Sequence, residues 1–227
     1  MYLIGDVHGC ADLLARLLEK LLPTGERLIF LGDYVNKGDN SKGVIEQLID
    51  LKQHADVVLL KGNHDRWIHR ELTAEERFLE MRGYDLFHTT LRSYLPEDER
   101  NWETLEFTTL HQYIPASHFE FLRTLAPYYE DDTLIAVHAT LDLTLPLAEQ
   151  SEEVLLRTRP WETNLDSYQG EKYVAVGHTP TEKLDERAFG SPLVRGKVLY
   201  MDTSPVDSGR LCALHMPSFQ VVSSDPA

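Results

Sequence analysis

Five short apolar runs in the sequence are each followed directly by side chains that can bind a cation or transfer a proton. These side chains are Asp6 and His8 after 2–4, Asp33 after 28–31, Asn63 and His64 after 57–60, His138 after 134–137, and His178 after 173–176. Apolar runs of this length are typical of buried strands, and the C-terminal ends of such strands open into a crevice where ligands bind. We therefore expect the five strand ends to bring these groups together at one rim of a sheet.

The donor types at this rim indicate a pair of divalent metal ions. Asp6 and His8 are two positions apart, so in extended backbone both side chains point to the same side and can reach one ion. The carboxylate of Asp33 has two oxygens and can bridge two ions. A mixed set of oxygen and nitrogen ligands suits Mn, which we expect first, or else Fe, Zn or Ni, better than Ca or Mg. Two ions about 3.5–4 Å apart can hold a hydroxide between them and clamp a phosphoryl group.

Other residues near the predicted rim have the chemistry needed to assist hydrolysis of a phosphoester. His64 adjoins Asn63 but is not required as a ligand, so we assign it the role of general acid, which protonates the leaving group. The phosphate oxygens need positive or polar partners. The candidates for this role are Lys37, Asn63, Arg66 and Arg159. Each motif alone would usually be a turn or a capped helix, and only their succession at five strand ends favours a site.

Length, composition and charge limit the class of protein. The 227 residues suffice for one large domain and no linker divides them, so we expect a single domain over 1–227. The net charge of -15 argues against nucleic acid or an anionic membrane surface as a partner. No apolar run approaches the ~20 residues that span a bilayer, and no secretory signal is visible. Cys10 and Cys212 are the only cysteines, which favours a reducing, cytoplasmic location. We expect a monomer or a weak oligomer.

Apolar periodicity predicts alternating strands and helices in the first part of the chain. Leucines between 13 and 22 recur at helical spacing, and a second helix begins near Ser41, which can cap it. Each interval from strand to strand is about 30 residues, the length of a βαβ unit, which predicts parallel strands. Residues 66–115 predict a helical insertion, either a lid beside the site or a layer that covers the sheet. Further helices are predicted at 116–125 and 152–156, and an antiparallel run of three β-pieces at 198–201, 211–215 and 219–222.

Taken together, these motifs resemble those of the phosphoprotein phosphatase branch of the calcineurin-like metallophosphoesterases. The shared segments are Gly-Asp-Val-His-Gly at 5–9, Gly-Asp-Tyr-Val-Asn-Lys-Gly at 32–38, Gly-Asn-His-Asp at 62–65, His-Ala at 138–139 and Gly-His at 177–178. The compact length is similar to that of the small bacterial and phage serine/threonine phosphatases. The resemblance implies an α/β protein of four layers, in which a central β-sandwich is flanked by α-helices and carries a dinuclear site at its edge.

The resemblance also implies a role for each matching residue. It assigns Asp6 and His8 to the first metal ion, Asp33 to a position between the two ions, and Asn63, His138 and His178 to the second ion. It makes His64 the proton donor and Arg159, in the segment 155–160, a ligand of the phosphate. The substrate that it implies is a phosphomonoester, first of all a serine or threonine phosphoprotein, with phosphotyrosine as a further option.

Two departures from the family pattern leave other functions open. Asn36 stands where most protein phosphatases have an aspartate paired with the acid histidine, and an asparagine can accept a hydrogen bond but cannot offset the charge of protonated His64. Lys37 replaces the usual arginine and lacks its bidentate fork. A weak general acid is sufficient for the cleavage of anhydrides, because their leaving groups need less help from an acid. The alternative is therefore a symmetrical diadenosine tetraphosphate hydrolase or another small-molecule phosphoesterase. A non-catalytic scaffold is a further interpretation, which the complete ligand set disfavours.

Overall fold

Two β-sheets packed face to face form the centre of the protein in a computed structural model that describes residues 1–65, 85–96 and 112–225. The strands are β1 (Tyr2–Ile4), β2 (Leu28–Phe30), β3 (Val57–Leu59), β4 (Tyr128–Glu130), β5 (Leu134–Val137), β6 (Tyr173–Val176), β7 (Leu193–Arg195), β8 (Val198–Tyr200), β9 (Cys212–His215) and β10 (Val221–Ser223). The helices are α1 (Ala11–Leu21), α2 (Ser41–His54), α3 (Asp85–Tyr94), α4 (Ala116–Arg123), α5 (Glu152–Leu156) and α6 (Pro205–Ser208). Within the described ranges, the strand orders are β10-β9-β1-β2-β3 and β4-β5-β6-β8-β7.

The first sheet has a parallel part that follows directly from the local sequence. β1 pairs in parallel with β2, and β2 with β3, so that Leu3 is paired with Ile29 and Ile29 with Val58. Helices α1 and α2 form the two crossovers, and the leucines of α1 at helical spacing are buried against the sheet. The predicted βαβ units are therefore confirmed.

The C-terminal part of the chain completes both sheets. β9 pairs antiparallel with β1, and β10 pairs antiparallel with β9, as predicted for two of the three closing β-pieces. The third piece, β8, lies in the other sheet, where it is parallel to β6 and antiparallel to β7. The prediction of a single antiparallel run is therefore wrong. All three residues of β8 are buried, which is typical of a strand inside a parallel part of a sheet.

Three apolar clusters separate the layers of the fold. The cluster between the sheets draws side chains from both of them, for example Leu3, Ile29, Ala136 and Leu199. Neighbouring positions along a strand point to opposite faces, so Ile4 belongs instead to the cluster beneath helices α1 to α4. A third cluster includes buried residues of α5 and lies on the outer face of the second sheet. The order helix, sheet, sheet, helix confirms the expected four-layer α/β fold.

The five strand ends that carry candidate ligands belong to two sheets, not to one rim of a single sheet. β1, β2 and β3 lie in the first sheet, whereas β5 and β6 lie in the second. The expectation of one sheet is wrong because an apolar run does not reveal which strands pair. The predicted cap of α2 is also wrong, since the Asn40 side chain, not that of Ser41, accepts a hydrogen bond from the N–H of Gly43 at 2.9 Å.

Most of the predicted insertion at 66–115 lies outside the described residues, and so does Arg66. Its described part includes α3, whose Leu91 and Tyr94 belong to the cluster on the outer face of the first sheet. Tyr94 Oη is hydrogen-bonded to Nδ1 of buried His118 in α4 at 2.8 Å, and the charged groups that influence this histidine are Glu46 and Lys42 of α2. The described part of the insertion thus belongs to the helical layer that covers the sheet. Among the described residues, no helix combines the length and apolar composition needed to cross a membrane.

Candidate active site

The candidate site lies where strand ends of both sheets meet, and Asp33 is at its centre. Asp33 Oδ2 is 3.5 Å from Nε2 of His8, 3.4 Å from Nε2 of His138 and 3.9 Å from Nε2 of His64. Among the described residues, two groups of possible metal ligands share this carboxylate, one with His8 and His64 and the other with His138 and His178. Asp33 therefore has the position that a carboxylate needs to contact two ions.

Asp6 and His8 enter the site through a turn, not along an extended strand. His8 has a φ of 45°, in the left-handed region, so the expectation that both side chains project from extended backbone is wrong. Its backbone N–H donates to the carbonyl of Asp33 at 2.9 Å, which fixes the turn against the neighbouring strand end. The ring Nδ1–H donates to the Val35 carbonyl at 2.9 Å, so Nε2 is directed at the site, 3.6 Å from Asp6 Oδ2.

Asp6 also connects the two sheets. Its Oδ1 accepts a hydrogen bond from the backbone N–H of His178, which follows β6 in the second sheet, at 2.9 Å. Gly177 makes this approach possible, because a Cβ there would lie 2.3 Å from Asp6 Oδ1. Asp6 Oδ2 is buried and is one of the few side-chain oxygens in the described ranges without a hydrogen-bond partner. A buried carboxylate oxygen without a donor is costly, and a cation at this point would satisfy it.

The group around His138 is a cluster of acceptor atoms. His138 Nδ1–H donates to the carbonyl of Leu31 at 2.8 Å, while its Nε2 lies 3.0 Å from Asn63 Oδ1 and 3.4 Å from Asp33 Oδ2. An imidazole lone pair and two oxygens at these distances repel one another unless a proton or a metal ion lies among them. The three atoms are suited to share one cation.

His178 reaches this group from the end of β6. It has a φ of 61°, and its Nε2–H donates to the carbonyl of Arg157 at 2.9 Å. That hydrogen bond leaves Nδ1 as the nitrogen that can bind a cation beside Asp33 and His138. All six predicted metal ligands therefore lie in or beside the two overlapping groups.

The ionisable groups of the cluster have pKa values shifted in opposite directions. Burial lowers the pKa of His138, but the Asp33 carboxylate outweighs burial and raises it to about 9. Burial, together with the charge of His138, lowers the pKa of His178 to about 3. Burial acts to raise the pKa of Asp33, yet His138 and His64 hold it well below its ordinary value. A proton held between buried acceptors is what a divalent cation replaces, so the residues present fit metal ions.

His64 contacts Asn36 with the hydrogen-bond roles opposite to those expected. Asn36 Oδ1 accepts a hydrogen bond from the hydroxyl of Thr90 at 2.7 Å, so its amide NH₂ is the group that faces His64 Nδ1, at 2.9 Å. The expected role of Asn36 as an acceptor toward His64 is therefore wrong, because its NH₂ group and not its oxygen faces the ring. A ring nitrogen that accepts carries no proton, so neutral His64 carries its proton on Nε2, the nitrogen nearest Asp33. Burial lowers the pKa of His64 to about 4.

Thr90 and Ser41 hold the Asn36 side chain in place and are not recognisable from the sequence. The Thr90 hydroxyl accepts the backbone N–H of Asn36 at 2.8 Å and lies 2.9 Å from Ser41 Oγ. All three residues are buried. Asn36 has a φ of 69°, a conformation that asparagine tolerates better than most residues. The sequence does not reveal this support of Asn36, because Thr90 lies on α3, far from the motifs along the chain.

Two of the predicted phosphate ligands are cations that border the cluster. Lys37 Nζ lies 2.7 Å from His8 Nε2, and the contact requires that this nitrogen carries no proton. Burial acts to lower the pKa of His8, but Asp6 and Asp33 outweigh burial and raise it, whereas the Lys37 ammonium opposes a second proton on the ring. Arg159 Nη1 donates to the carbonyl of His178 at 2.8 Å. One basic side chain therefore lies beside each of the two overlapping groups of metal-ligand candidates.

Asp65 is a further residue of the site whose role the sequence does not reveal. Its carboxylate accepts three backbone N–H groups, from Asp33 at 2.7 Å, Tyr34 at 2.7 Å and Gly62 at 2.8 Å. These bonds join the loop after β2 to the loop after β3, so they hold Asp33 and Asn63 in register. Its place in the segment Gly-Asn-His-Asp was the available signal, but proximity to a motif does not distinguish a ligand from a support.

The fold and the donor set together define a metallophosphoesterase, because carboxylate, imidazole and amide groups at strand ends of two facing sheets form a set that fits divalent ions. The chain belongs to the family of calcineurin-like phosphoesterases, which it matches over residues 1–203.

Among curated proteins, the chain is similar to bis(5'-nucleosyl)-tetraphosphatases called PrpE and described as asymmetrical. That of Halalkalibacterium halodurans is 27% identical over 244 residues, and that of Geobacillus thermodenitrificans is 27% identical over 249 residues. Each alignment covers 97% of this chain and 92% of the relative.

Two solved structures share the fold at lower sequence identity. A protein proposed to be a diadenosine tetraphosphatase has a TM-score of 0.68 and 22% identity, and the match covers 98% of this chain and 91% of the other. The cold-active protein-tyrosine phosphatase of the psychrophile Shewanella sp. has a TM-score of 0.59 and 17% identity, with 99% and 80% covered. At these identities the likeness concerns the fold alone.

Proposed function

We propose that this protein is a metal-dependent hydrolase of dinucleoside tetraphosphates, which cleaves a phosphoanhydride bond. The names of the curated relatives, which align over nearly the whole chain, support this substrate class over the phosphoprotein expected first from the sequence. Those names also favour off-centre cleavage, which releases a nucleoside monophosphate and a nucleoside triphosphate, over the symmetrical cleavage considered from the sequence.

The observation that carries the proposal is the contact between Asn36 and His64. An amide that donates to Nδ1 gives no compensation for a positive charge on the imidazole, so His64 acts as a neutral hydrogen-bond donor through Nε2. A serine or threonine alkoxide needs a full proton to leave. A phosphate leaving group does not, because its last proton has a pKa of about 6 and it departs as an anion at neutral pH.

The remaining side chains have roles that suit a polyphosphate. Lys37, Asn63 and Arg159 bind the phosphoryl oxygens and orient the scissile bond. Asp6, His8, Asp33, Asn63, His138 and His178 would hold two divalent ions, of which Mn is the first choice for this mixed donor set. Such ions supply a Lewis acid and a nucleophile that is effective at neutral pH. His64 Nε2–H donates to the departing phosphate oxygen.

A substrate panel tests the proposal directly. Diadenosine tetraphosphate, p-nitrophenyl phosphate and a phosphoserine peptide are compared in the presence of Mn²⁺, with the nucleotide products separated by chromatography. We expect the dinucleotide to have the highest kcat/KM and to give AMP and ATP. Two molecules of ADP would instead indicate symmetrical cleavage, and a preference for the peptide would reject the proposal. Asp33→Asn and His64→Asn variants should lose activity on every substrate that the wild type cleaves.

The substitution Asn36→Asp tests the argument about the acid separately. A carboxylate beside Nδ1 stabilises the protonated imidazole, so this variant should gain on alkyl phosphates more than on diadenosine tetraphosphate. The same proportional change on both substrates would mean that the acid does not determine the preference among leaving groups.

A further inference from the structure

A large cavity beside Lys37 has no role in the chemistry described above. Its volume is about 1000 Å³, and its walls come from the start of α1, the loop before α2, α3 and α6. The side chains that matter for the argument are Leu13, Arg16, Lys37, Arg92 and Val206. We propose that this cavity binds the nucleotide part of the substrate that extends beyond the scissile phosphate, a nucleoside polyphosphate. The inference rests on the proposed function and adds a binding site for one side of its substrate.

Lys37 makes the cavity continuous with the metal-ligand cluster. Its side chain lines the cavity, and its Nζ contacts His8 Nε2 at 2.7 Å. A phosphoryl group beside His8 therefore has its next phosphates at the entrance of the cavity. A chain of phosphates is joined by bridging oxygens, so the rest of the substrate must continue through the space that this lysine borders.

The charge of the walls differs from that of the protein as a whole. The chain has a net charge of -15, which repels an anionic ligand at long range. The cavity, by contrast, is lined by three basic side chains, Arg16, Lys37 and Arg92, and by two acidic ones, Asp12 and Asp39. The lining thus has one more positive than negative charge, opposite in sign to the net charge of the chain, which favours a polyphosphate at this place on the surface.

Size and apolar surface indicate that the ligand is more than a phosphate. Sites for small organic ligands have volumes of about 300–1000 Å³, whereas an inorganic phosphate fills only a small part of such a space. Leu13 and Val206 line the same cavity, and Val206 is 41% exposed, so an aromatic base has an apolar surface on which to pack. A nucleoside polyphosphate combines this flat apolar part with the anionic chain that the arginines attract.

Arg92 is the residue with which to test the site, because it is exposed on α3 and its loss leaves the core unchanged. We compare wild type with Arg92→Ala, with Arg92→Lys, which keeps the charge, and with Arg187→Ala. Arg187 is a matched control, since its side chain is 90% exposed and it is not part of the cavity wall. The first measurement is the ratio of kcat/KM for diadenosine tetraphosphate to kcat/KM for p-nitrophenyl phosphate.

We expect Arg92→Ala to lower this ratio about tenfold, mainly through KM, because one charge-assisted contact is lost. Arg92→Lys should recover part of the loss, and Arg187→Ala should match wild type. An unchanged ratio in Arg92→Ala, or a ratio lowered equally in Arg187→Ala, would overturn the assignment of the cavity even if the dinucleotide is the best substrate.

A binding measurement separates the cavity from the proposed function. The dissociation constant of ATP is measured by calorimetry on EDTA-treated protein, so that no hydrolysis occurs during the measurement. We expect Arg92→Ala to weaken binding about tenfold relative to wild type and to Arg187→Ala. If wild type does not cleave diadenosine tetraphosphate but binds ATP in this Arg92-dependent way, the proposed function fails and the cavity assignment stands. If wild type does not bind ATP, or binds it equally well without Arg92, the cavity assignment is overturned.

Discussion

The three hydrogen bonds that Asp65 accepts allow a graded test of how the site is held together. Oδ2 accepts from Asp33 and Gly62, and Oδ1 accepts from Tyr34. An asparagine at this position can place its single oxygen where Oδ2 lies and keep two of the bonds. Its NH₂ then faces the N–H of Tyr34, so one backbone donor is left unsatisfied and the amide itself faces a donor instead of an acceptor. Alanine leaves all three donors without a partner.

The magnitudes follow from the cost of an unsatisfied buried donor, which is about 1–3 kcal/mol. We expect Asp65→Asn to reduce the free energy of unfolding by about 2 kcal/mol and Asp65→Ala to reduce it by about 4 kcal/mol, since water entering the space offsets part of the loss. Burial and the nearby Asp33 raise the pKa of Asp65 to about 7, so the comparison is made at pH 8.5, where the carboxylate is ionised.

Urea denaturation followed by tryptophan fluorescence measures these differences, in buffer with EDTA so that metal binding does not contribute. Asp50→Asn is the control, because its side chain is 77% exposed on α2 and its loss should change stability by no more than about 0.5 kcal/mol. If Asp65→Ala is no more destabilising than Asp65→Asn, or if both resemble the control, the reasoning from counted backbone donors is refuted.

Three further outcomes can be measured. Thr90→Val removes the hydroxyl that orients Asn36, so kcat for the dinucleotide should fall about three- to tenfold with little change in KM. Thr90→Ser keeps the hydroxyl and should keep kcat, and equal losses in the two variants would contradict this role of Thr90. Burial lowers the pKa of His118, so below about pH 6.5 the unfolded chain binds a proton that the folded protein does not, and the free energy of unfolding decreases as the pH is lowered. His118→Gln should make this decrease smaller between pH 5 and 7.5 in urea titrations. An unaltered pH dependence in the variant would contradict the role of His118. Asp33→Asn should bind less than half as much Mn²⁺ as wild type after equilibrium dialysis, with unchanged far-UV circular dichroism, and full metal content would contradict its central position.

The order of the ligands along the chain is readable from the sequence because each one follows a buried strand. The apolar runs before Asp6, Asp33 and Asn63 also predict their parallel pairing, since a helix of suitable length separates each pair of strands. The division of the strand ends between two sheets is not readable, because pairing depends on which faces meet after the chain folds. Strands β4 and β7 lie at the edges of the second sheet and have partly exposed residues, so no apolar run marks them.

The hydrogen-bond roles in the site are equally beyond the sequence. Whether Asn36 accepts or donates toward His64 is decided by Thr90, which is 54 positions away along the chain. The left-handed backbone of His8 likewise depends on contacts with the end of the neighbouring strand. The sequence therefore predicts which chemical groups the site contains. The orientation of each group depends on hydrogen-bond partners that are distant along the chain and become neighbours only in the folded protein.

The hydrogen bond from His178 to Asp6 has a mechanical consequence for the whole sandwich. One carboxylate is held by the backbone of the second sheet while it stands at the end of a strand of the first. Sliding of one sheet over the other would separate ligand atoms, so a bound ion would hold the two sheets in one alignment. Removal of the ion by a chelator should therefore lower the Tm at which the two sheets unfold as one unit, because an ion that binds only the aligned sheets stabilises the folded protein.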